Sequence, residues 1–120
     1  MEKRARPPHD ILPAYFFECW VPEAVAADED RRRKLGDTEA TVVFDLAGEG
    51  GGLFTVEIAE GRVRGREGGV EEPDLAVELD VETWRDLNAG RISAPEALLK
   101  RRLRFHGSFL LGLKLHLILG

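Results

Sequence analysis

Cysteine is all but missing: Cys19 is the single one in 120 residues, so no internal disulfide can brace the fold. That absence suits a reducing compartment and a core held by packing alone. Histidine is scarce as well. His9, His106 and His116 stand at no metal-ligand spacing and have no Cys-x-x-Cys companion, so no metal site is expected. A surplus of positive charge is lacking. The 17 Lys and Arg against 22 Asp and Glu leave a net charge of −5, which argues against a nucleic-acid partner. No apolar run reaches the roughly 18–20 residues of a membrane span. The opening "MEKRARPPHD" puts two prolines and His9–Asp10 where a secretory leader needs an apolar stretch. A cytoplasmic protein is expected.

The groups that carry catalysis are also sparse. Cys19 sits among aromatics with no histidine beside it in sequence, which fits a buried, inert thiol better than a nucleophile. "GEGGGL" lacks the last glycine of a dinucleotide fingerprint and joins two strands, not a strand and a helix. Asp45 and Glu57 fall on the polar side of their strands, where solvent is the default neighbour. With no acid–base pair, nucleophile or metal set, the chain is not expected to be an enzyme, and no cofactor is expected.

What is present is a helical opening, a run of alternating strands and a leucine-rich end. Residues 1–9, charged and carrying Pro7 and Pro8, are expected as a flexible arm, and residues 10–120 as one domain. Asp10 is placed to cap a short helix bearing "AYFFECW". Pro22 opens a second helix that runs to Gly36, with Asp28–Arg32, Glu29–Arg33 and Asp30–Lys34 spaced to pair and "RRRK" on a solvated face. From Thr41 the period changes to two. Val42, Phe44 and Leu46 share one face, as do Phe54, Val56 and Ile58; "RVRGR" reads as an edge strand and "DLAVELD" as a fourth strand. A largely antiparallel sheet with one apolar face follows. "DVETWRDLNAG" is helical, "SAPE" is a capping box opening a short helix, and "LRFHG" is a fifth strand.

The end, "SFLLGLKLHLILG", reads as a helix capped by Ser108. On a helical wheel Phe109, Leu110, Leu113 and Leu117 form one apolar stripe, and Leu111, Leu115, Ile118 and Leu119 a second. Each leucine-sized group left in water forgoes roughly 1.5–3 kcal/mol, against about 5–15 kcal/mol for a whole domain. One stripe should therefore cover the sheet and the other meet something else: the aromatic N-terminal helix, a second subunit, a lipid or a membrane surface.

Taken in order, "ATVVFDLAGEGGGLFTVEIAEGRV" and "PDLAVELDVETWRDLNAGRISAPEALLKRRLRFHGSFLLGLKL" resemble the sterol carrier protein-2 (SCP-2) family over about Thr41 to Leu117. The shared pattern is "v-x-F-x-L", a Gly-rich hairpin, "f-T-V-x-I-x-x-G-x-v", "pDl-x-v", an aromatic-x-x-l-x-x-G helix, "p-x-x-A-f-l", "l-x-i-x-G" and a leucine-rich helix. The chain departs from it at Lys100, Arg101 and Arg102, where the family often has Ser-Gly-Lys, and at Ser108, where it often has Asp. The resemblance implies an α+β fold: a five-stranded mixed, mostly antiparallel sheet with helices packed on one face. It also implies an apolar cavity between the sheet and the C-terminal helix. The ligand it implies is a lipid, whether fatty acid, acyl-CoA, phospholipid, sterol or quinone, bound without chemistry, cofactor or metal. Transient membrane contact and a homodimer stay open. Carried over as cavity candidates are Phe44, Phe54, Val56, Val77, Leu103 and Phe105 from strands. From helices come Trp84, Leu87, Leu98, Phe109, Leu113 and Leu117. Plain core packing competes with cavity lining at each of them. Two functions follow: a lipid-binding or lipid-transfer protein, or an assembly or accessory subunit, for example in lipid or quinone metabolism, that uses the leucine-rich helix as an interface.

Overall fold

Alternating apolar and polar residues from Ala40 onward form five strands, and helices cover one face of the sheet they make. In the computed structural model, which describes residues 5–119, the chain runs α1 (Pro13–Tyr15), a π-helical turn (Phe16–Trp20), α2 (Val21–Ala27) and α3 (Glu29–Leu35). Then follow β1 (Ala40–Ala47), β2 (Gly52–Ala59), β3 (Arg62–Glu67), β4 (Leu75–Asp80), α4 (Val81–Asn88), α5 (Ala94–Leu99), β5 (Leu103–Gly107) and α6 (Phe109–Leu119). Residues 1–4 of the expected arm lie outside the described residues, while residues 5–9 run against α3 and α4 through backbone contacts to Arg31 and Arg85.

The strand order is β3-β2-β1-β4-β5, with β1 and β4 parallel and every other pair antiparallel. Register puts all the inward residues in line. Phe54 lies opposite Phe44, Phe44 opposite Val77, and Val77 opposite Phe105, so one apolar row crosses four strands. The reverse face is polar at its edges, where Glu78 meets His106 at 3.1 Å and Arg104 at 3.7 Å. Its middle is covered by the loop after β3. There the Thr55 hydroxyl donates to the Gly68 carbonyl at 2.7 Å, and Thr55 is fully buried.

The helical opening differs from expectation in three places. Asp10 caps nothing: Ile11 N–H closes a turn on the Pro8 carbonyl, and α1 begins at Pro13, whose missing N–H needs no cap. The single helix expected from Pro22 to Gly36 breaks at Asp28. Its carboxylate accepts from Asp30 N–H (2.9 Å) and Arg31 N–H (3.2 Å), so Asp28 starts a new helix instead of pairing with Arg32. Asp30–Lys34 does pair, at 3.0 Å. Third, Arg31 is not on a solvated face. It is 2% exposed, lies 5.6 Å over the Trp20 ring and donates to the Ala5 carbonyl.

The caps at Ser93 and Ser108 fall where the sequence places them, and Asp80 adds one that it did not name. Asp80 accepts from Thr83 N–H at 2.7 Å, Ser93 from Glu96 N–H at 3.2 Å and Ser108 from Leu111 N–H at 3.1 Å. The unusual "KRR" turn is built around Arg101, which holds φ 59°, a left-handed conformation. Its neighbour Arg102 anchors the turn to α4 through Asp86 (2.8 Å) and the Thr83 hydroxyl (3.1 Å). Replacing Arg101 with glycine should release about 1–2 kcal/mol of backbone strain and give back about 0.5–1 kcal/mol as unfolded-chain entropy. The expected outcome is a net stabilisation, read as a higher urea midpoint at unchanged m-value; a lower midpoint would contradict the strain.

Candidate functional site

The apolar sheet face is the feature on which a ligand would lie. Of the twelve candidates, Phe44, Phe54, Val56, Val77, Leu103 and Phe105 do share this face. Trp84 is buried with it from α4, and Leu87 and Leu98 are partly buried and pack against the core.

The N-terminal aromatic segment covers the Phe54–Phe44 end of the row, while Phe105 at the other end lies under α6, where a Cβ on Gly112 would stand 3.5 Å from its ring. The Phe17 ring lies 4.9 Å from Phe44, 4.9 Å from Phe54 and 4.9 Å from Phe16, and 6.5 Å from Trp84. Phe16 in turn meets Trp84 edge-on at 5.2 Å and stacks on Trp20 at 5.4 Å. Local chemistry puts Phe17 there. Pro22 has no N–H to donate and its ring crowds the preceding turn, and just before it the helix widens, so that Val21 N–H reaches back to Phe16. The Phe17 carbonyl then lies on β3 at Gly65, where a Cβ would stand 1.8 Å from that oxygen. Only glycine permits the approach.

The expected cavity is consequently closed. Between the sheet and α2, α3 and α6 there remains a void of about 10 Å³. That is room for one water at most, against roughly 300–1,000 Å³ for a ligand pocket. Phe44 and Val56 border it; the other bordering side chains, among them Val21, Val25, Leu115 and Ile118, were not among the candidates. Val21 and Val25 carry a weak signal, the i,i+4 spacing on a helix that starts at proline.

The two stripes of α6 are treated unequally. Leu111, Leu115 and Ile118 are buried against the sheet and α3. Phe109, Leu113 and Leu117 are 55%, 45% and 55% exposed, so they line no interior wall here, and Leu110 beside them is 77% exposed. The reason is geometric: with the inner stripe in contact, the outer one points away from the sheet, and no other described element covers it. Phe109 keeps one tie, to Phe105 at 5.9 Å.

Ion pairs and caps gather on α4. Thr83 hydrogen bonds hold the Asp80 carboxyl below its ordinary range, and the Arg102 and Arg91 guanidiniums hold Asp86 below its own. Both stay ionised at neutral pH. Cys19 is a half-buried free thiol, and no cluster of three or more metal-ligating side chains occurs among the described residues. No helix among them is long and apolar enough to cross a membrane.

A five-stranded mixed sheet with helices on one apolar face, ended by a leucine-rich helix, defines an SCP-2-like fold. The SCP-2 sterol transfer family matches residues 22–120, and the chain belongs to that family. Among solved structures, it is similar to palmitated SCP2L2 from Aedes aegypti, with a TM-score of 0.70 at 15% identity, covering 83% of this chain and 87% of that one. A crystal structure of sterol carrier protein 2 matches with a TM-score of 0.65 at 19% identity, over 87% and 91% of the two chains. The inverting sec-alkylsulfatase Pisa1 from Pseudomonas sp. matches with a TM-score of 0.68 at 19% identity, over 89% of this chain but 16% of the sulfatase. The chain thus spans only a small part of the alkylsulfatases and most of the stand-alone carriers. No curated protein sequence matches.

Gly65→Ala tests how the aromatic segment is held. The added methyl should push the segment off β3, cost about 1–3 kcal/mol or more as overpacking, and alter the fluorescence of Trp20 and Trp84. Unchanged stability and emission would show that the segment does not sit on Gly65.

Proposed function

We propose that this chain is a non-catalytic lipid-binding and lipid-transfer protein whose acyl, isoprenoid or sterol-like ligand lies along the row Phe54, Phe44, Val77 and Phe105. In the form described, Phe16 and Phe17 take the ligand's place. The observation that carries this reading is that the Phe44–Phe54 half of that continuous apolar row is covered by a short N-terminal segment outside the sheet. Membership of the SCP-2 family supports it, as does the likeness to a carrier solved in palmitated form.

Mechanism follows from volume. A void of about 10 Å³ admits no chain, so binding requires the aromatic segment or α6 to move. Withdrawing a buried Phe side chain costs about 1.5–3 kcal/mol, and burying a lipid chain of similar area on the same face returns it. The exchange is near balance by construction, which is what a carrier that must also release its ligand requires. Binding is non-covalent, with apolar burial as its driving force.

Phe17→Ala separates this reading from plain core packing. The truncation should cost about 3–5 kcal/mol of stability and leave a cavity under the segment. Native mass spectrometry of the purified variant, followed by organic extraction, should then find more retained lipid than in the wild type. If neither protein retains lipid, and no lipid class raises the melting temperature of either, the carrier reading fails.

A second reading rests on the outer stripe of α6, which stands in water as Phe109, Leu110, Leu113 and Leu117. On this reading the chain is an assembly or accessory subunit, and the stripe meets a second copy or another protein. A Leu113→Asp/Leu117→Asp double variant should fold with little loss of stability, because both sites are exposed, and should abolish concentration-dependent dimerisation in size-exclusion chromatography. A wild-type chain that stays monomeric at all concentrations removes the homodimer.

A further inference from the structure

A second concave site lies beside Trp84, where the start of the described chain meets the end of α4. It is lined by Arg6, Pro7, Pro8 and His9 on one side and by Arg85, Asn88, Ala89 and Arg91 on the other, and its volume is about 90 Å³. One water needs about 10–15 Å³ on the same measure, so the site holds several waters or one tetrahedral oxyanion. It has no room for a lipid chain.

Its lining is rich in charged donors and has no carboxylate among the described residues. Each guanidinium is held in place by a single directed hydrogen bond. Arg85 lies 5.1 Å over the Trp84 ring and donates through Nη1 to the His9 carbonyl at 2.9 Å. Arg6 donates through Nη1 to the Asn88 carbonyl at 3.4 Å and lies flat on Gly90, where a Cβ would stand 2.5 Å from Nη1. Arg91 uses Nε on Asp86 at 2.7 Å. A guanidinium carries five N–H donors, so most of their donor capacity is uncommitted among the described residues. The side-chain nitrogen of Asn88 is buried and has no acceptor among the described residues.

Three guanidiniums around one small space repel each other, and a buried amide donor without a partner is destabilising. An anion with several acceptor oxygens relieves the repulsion. The nearby acid does not serve, because Asp86 already divides its two oxygens between Arg91 and Arg102. The carbonyl end of α4 opposes an anion with roughly half a charge, which three guanidiniums outweigh. We propose that the pocket between residues 6–9 and the C-terminal end of α4 binds a phosphate-class oxyanion, with Arg6, Arg85 and Arg91 as its charged donors. Phosphate fits better than a carboxylate, because its tetrahedral oxygens accept from guanidiniums on several sides at once. The group can come from a soluble phosphomonoester or from a lipid head group.

The test uses the full chain labelled with ¹⁵N, titrated with inorganic phosphate and with phenyl phosphate at ionic strength fixed by sodium chloride. The expected result is a saturable shift of the Asn88 side-chain amide, the Arg85 Nε–H and the Trp84 indole N–H that chloride alone does not give. Arg91→Gln and Arg85→Gln should each weaken binding about tenfold, with Arg91, an exposed side chain, the variant least able to disturb folding. Vesicles of phosphatidic acid, compared with phosphatidylcholine, identify the source. Phosphatidic-acid binding that Arg91→Gln removes assigns the site to a head group, and response to the soluble probes alone assigns it to a free phosphate. No saturable response to any of these probes, or variants that bind like the wild type, overturns the proposal. Uptake of an uncharged long-chain alcohol, measured alongside, reports on the apolar face separately, so the two sites can fail independently.

Discussion

The packing of Phe17 on Phe44 and Phe54 is the contact from which the rest of the inner side is arranged. Aromatic pairs at this spacing contribute about 0.5–1.5 kcal/mol each beyond their buried area, and Phe17 has three ring neighbours at 4.9 Å. Rings alone would not place it. The backbone has to come within touching distance of β3, and it does so because residue 65 has no side chain and because the helix widens ahead of Pro22. From that point α2 runs on over β3, α3 follows from the Asp28 cap, and α3 supplies the wall against which α6 lies. Shift Phe17, and the position of α6 is no longer determined by contact with α3 in its present place.

That dependence explains the asymmetry of α6. A helix apolar all round is stable in a small protein only if both sides are covered. Here Leu111, Leu115 and Ile118 have the sheet and α3, while Phe109, Leu110, Leu113 and Leu117 are largely exposed. The aromatic segment, one of the partners that could have met the outer stripe, is spent on the sheet. Both proposed functions have to account for this surplus. A carrier accounts for it by movement of the helix or its neighbours on loading, and an accessory subunit by a partner surface.

Much of this was legible in the residues, and the limits have physical causes. Period-two alternation located the strands and the shared face of Phe44, Phe54, Val56 and Val77, because which side of a sheet a residue takes is fixed by parity alone. That the sheet is mixed came from resemblance to a family, and which pair is parallel, β1 with β4, was not foreseen, since alternation carries no direction. The caps at Ser93 and Ser108 were visible because capping is local. The break at Asp28 was missed because the same carboxylate can pair with Arg32 or cap a helix, and only the chain's path decides. Arg31 was placed in solvent for the same reason: its burial depends on Trp20 and on residue 5, both distant along the chain or across a turn. The filled cavity was beyond reach altogether. Core and cavity wall use identical side chains, and whether space remains between sheet and helix is a matter of a few ångströms. The departure at Lys100, Arg101 and Arg102 did point to something real, a left-handed residue that is not glycine.

The two proposed sites share their moving parts. Residues 6–9 form one wall of the basic pocket, and the aromatic segment that fills the apolar face follows only a few residues later on the same chain. Trp84 stands at both, beneath Arg85 on one side and against Phe16 on the other. An anion that draws Arg6 and Arg85 together ties the arm to α4, and with the arm tied, withdrawal of Phe16 and Phe17 becomes harder. A lipid that expels those rings must in turn disturb the arm. By linkage the two effects are one coupling free energy, equal in both directions. An oxyanion separate from the cargo therefore opposes loading, whereas one that belongs to the cargo's own head group can favour loading only if residues 6–9 hold their place while the segment from Phe16 onward moves. The stretch between them, from Asp10 to Tyr15, with Ile11 and Pro13 buried, is where that difference would have to be absorbed.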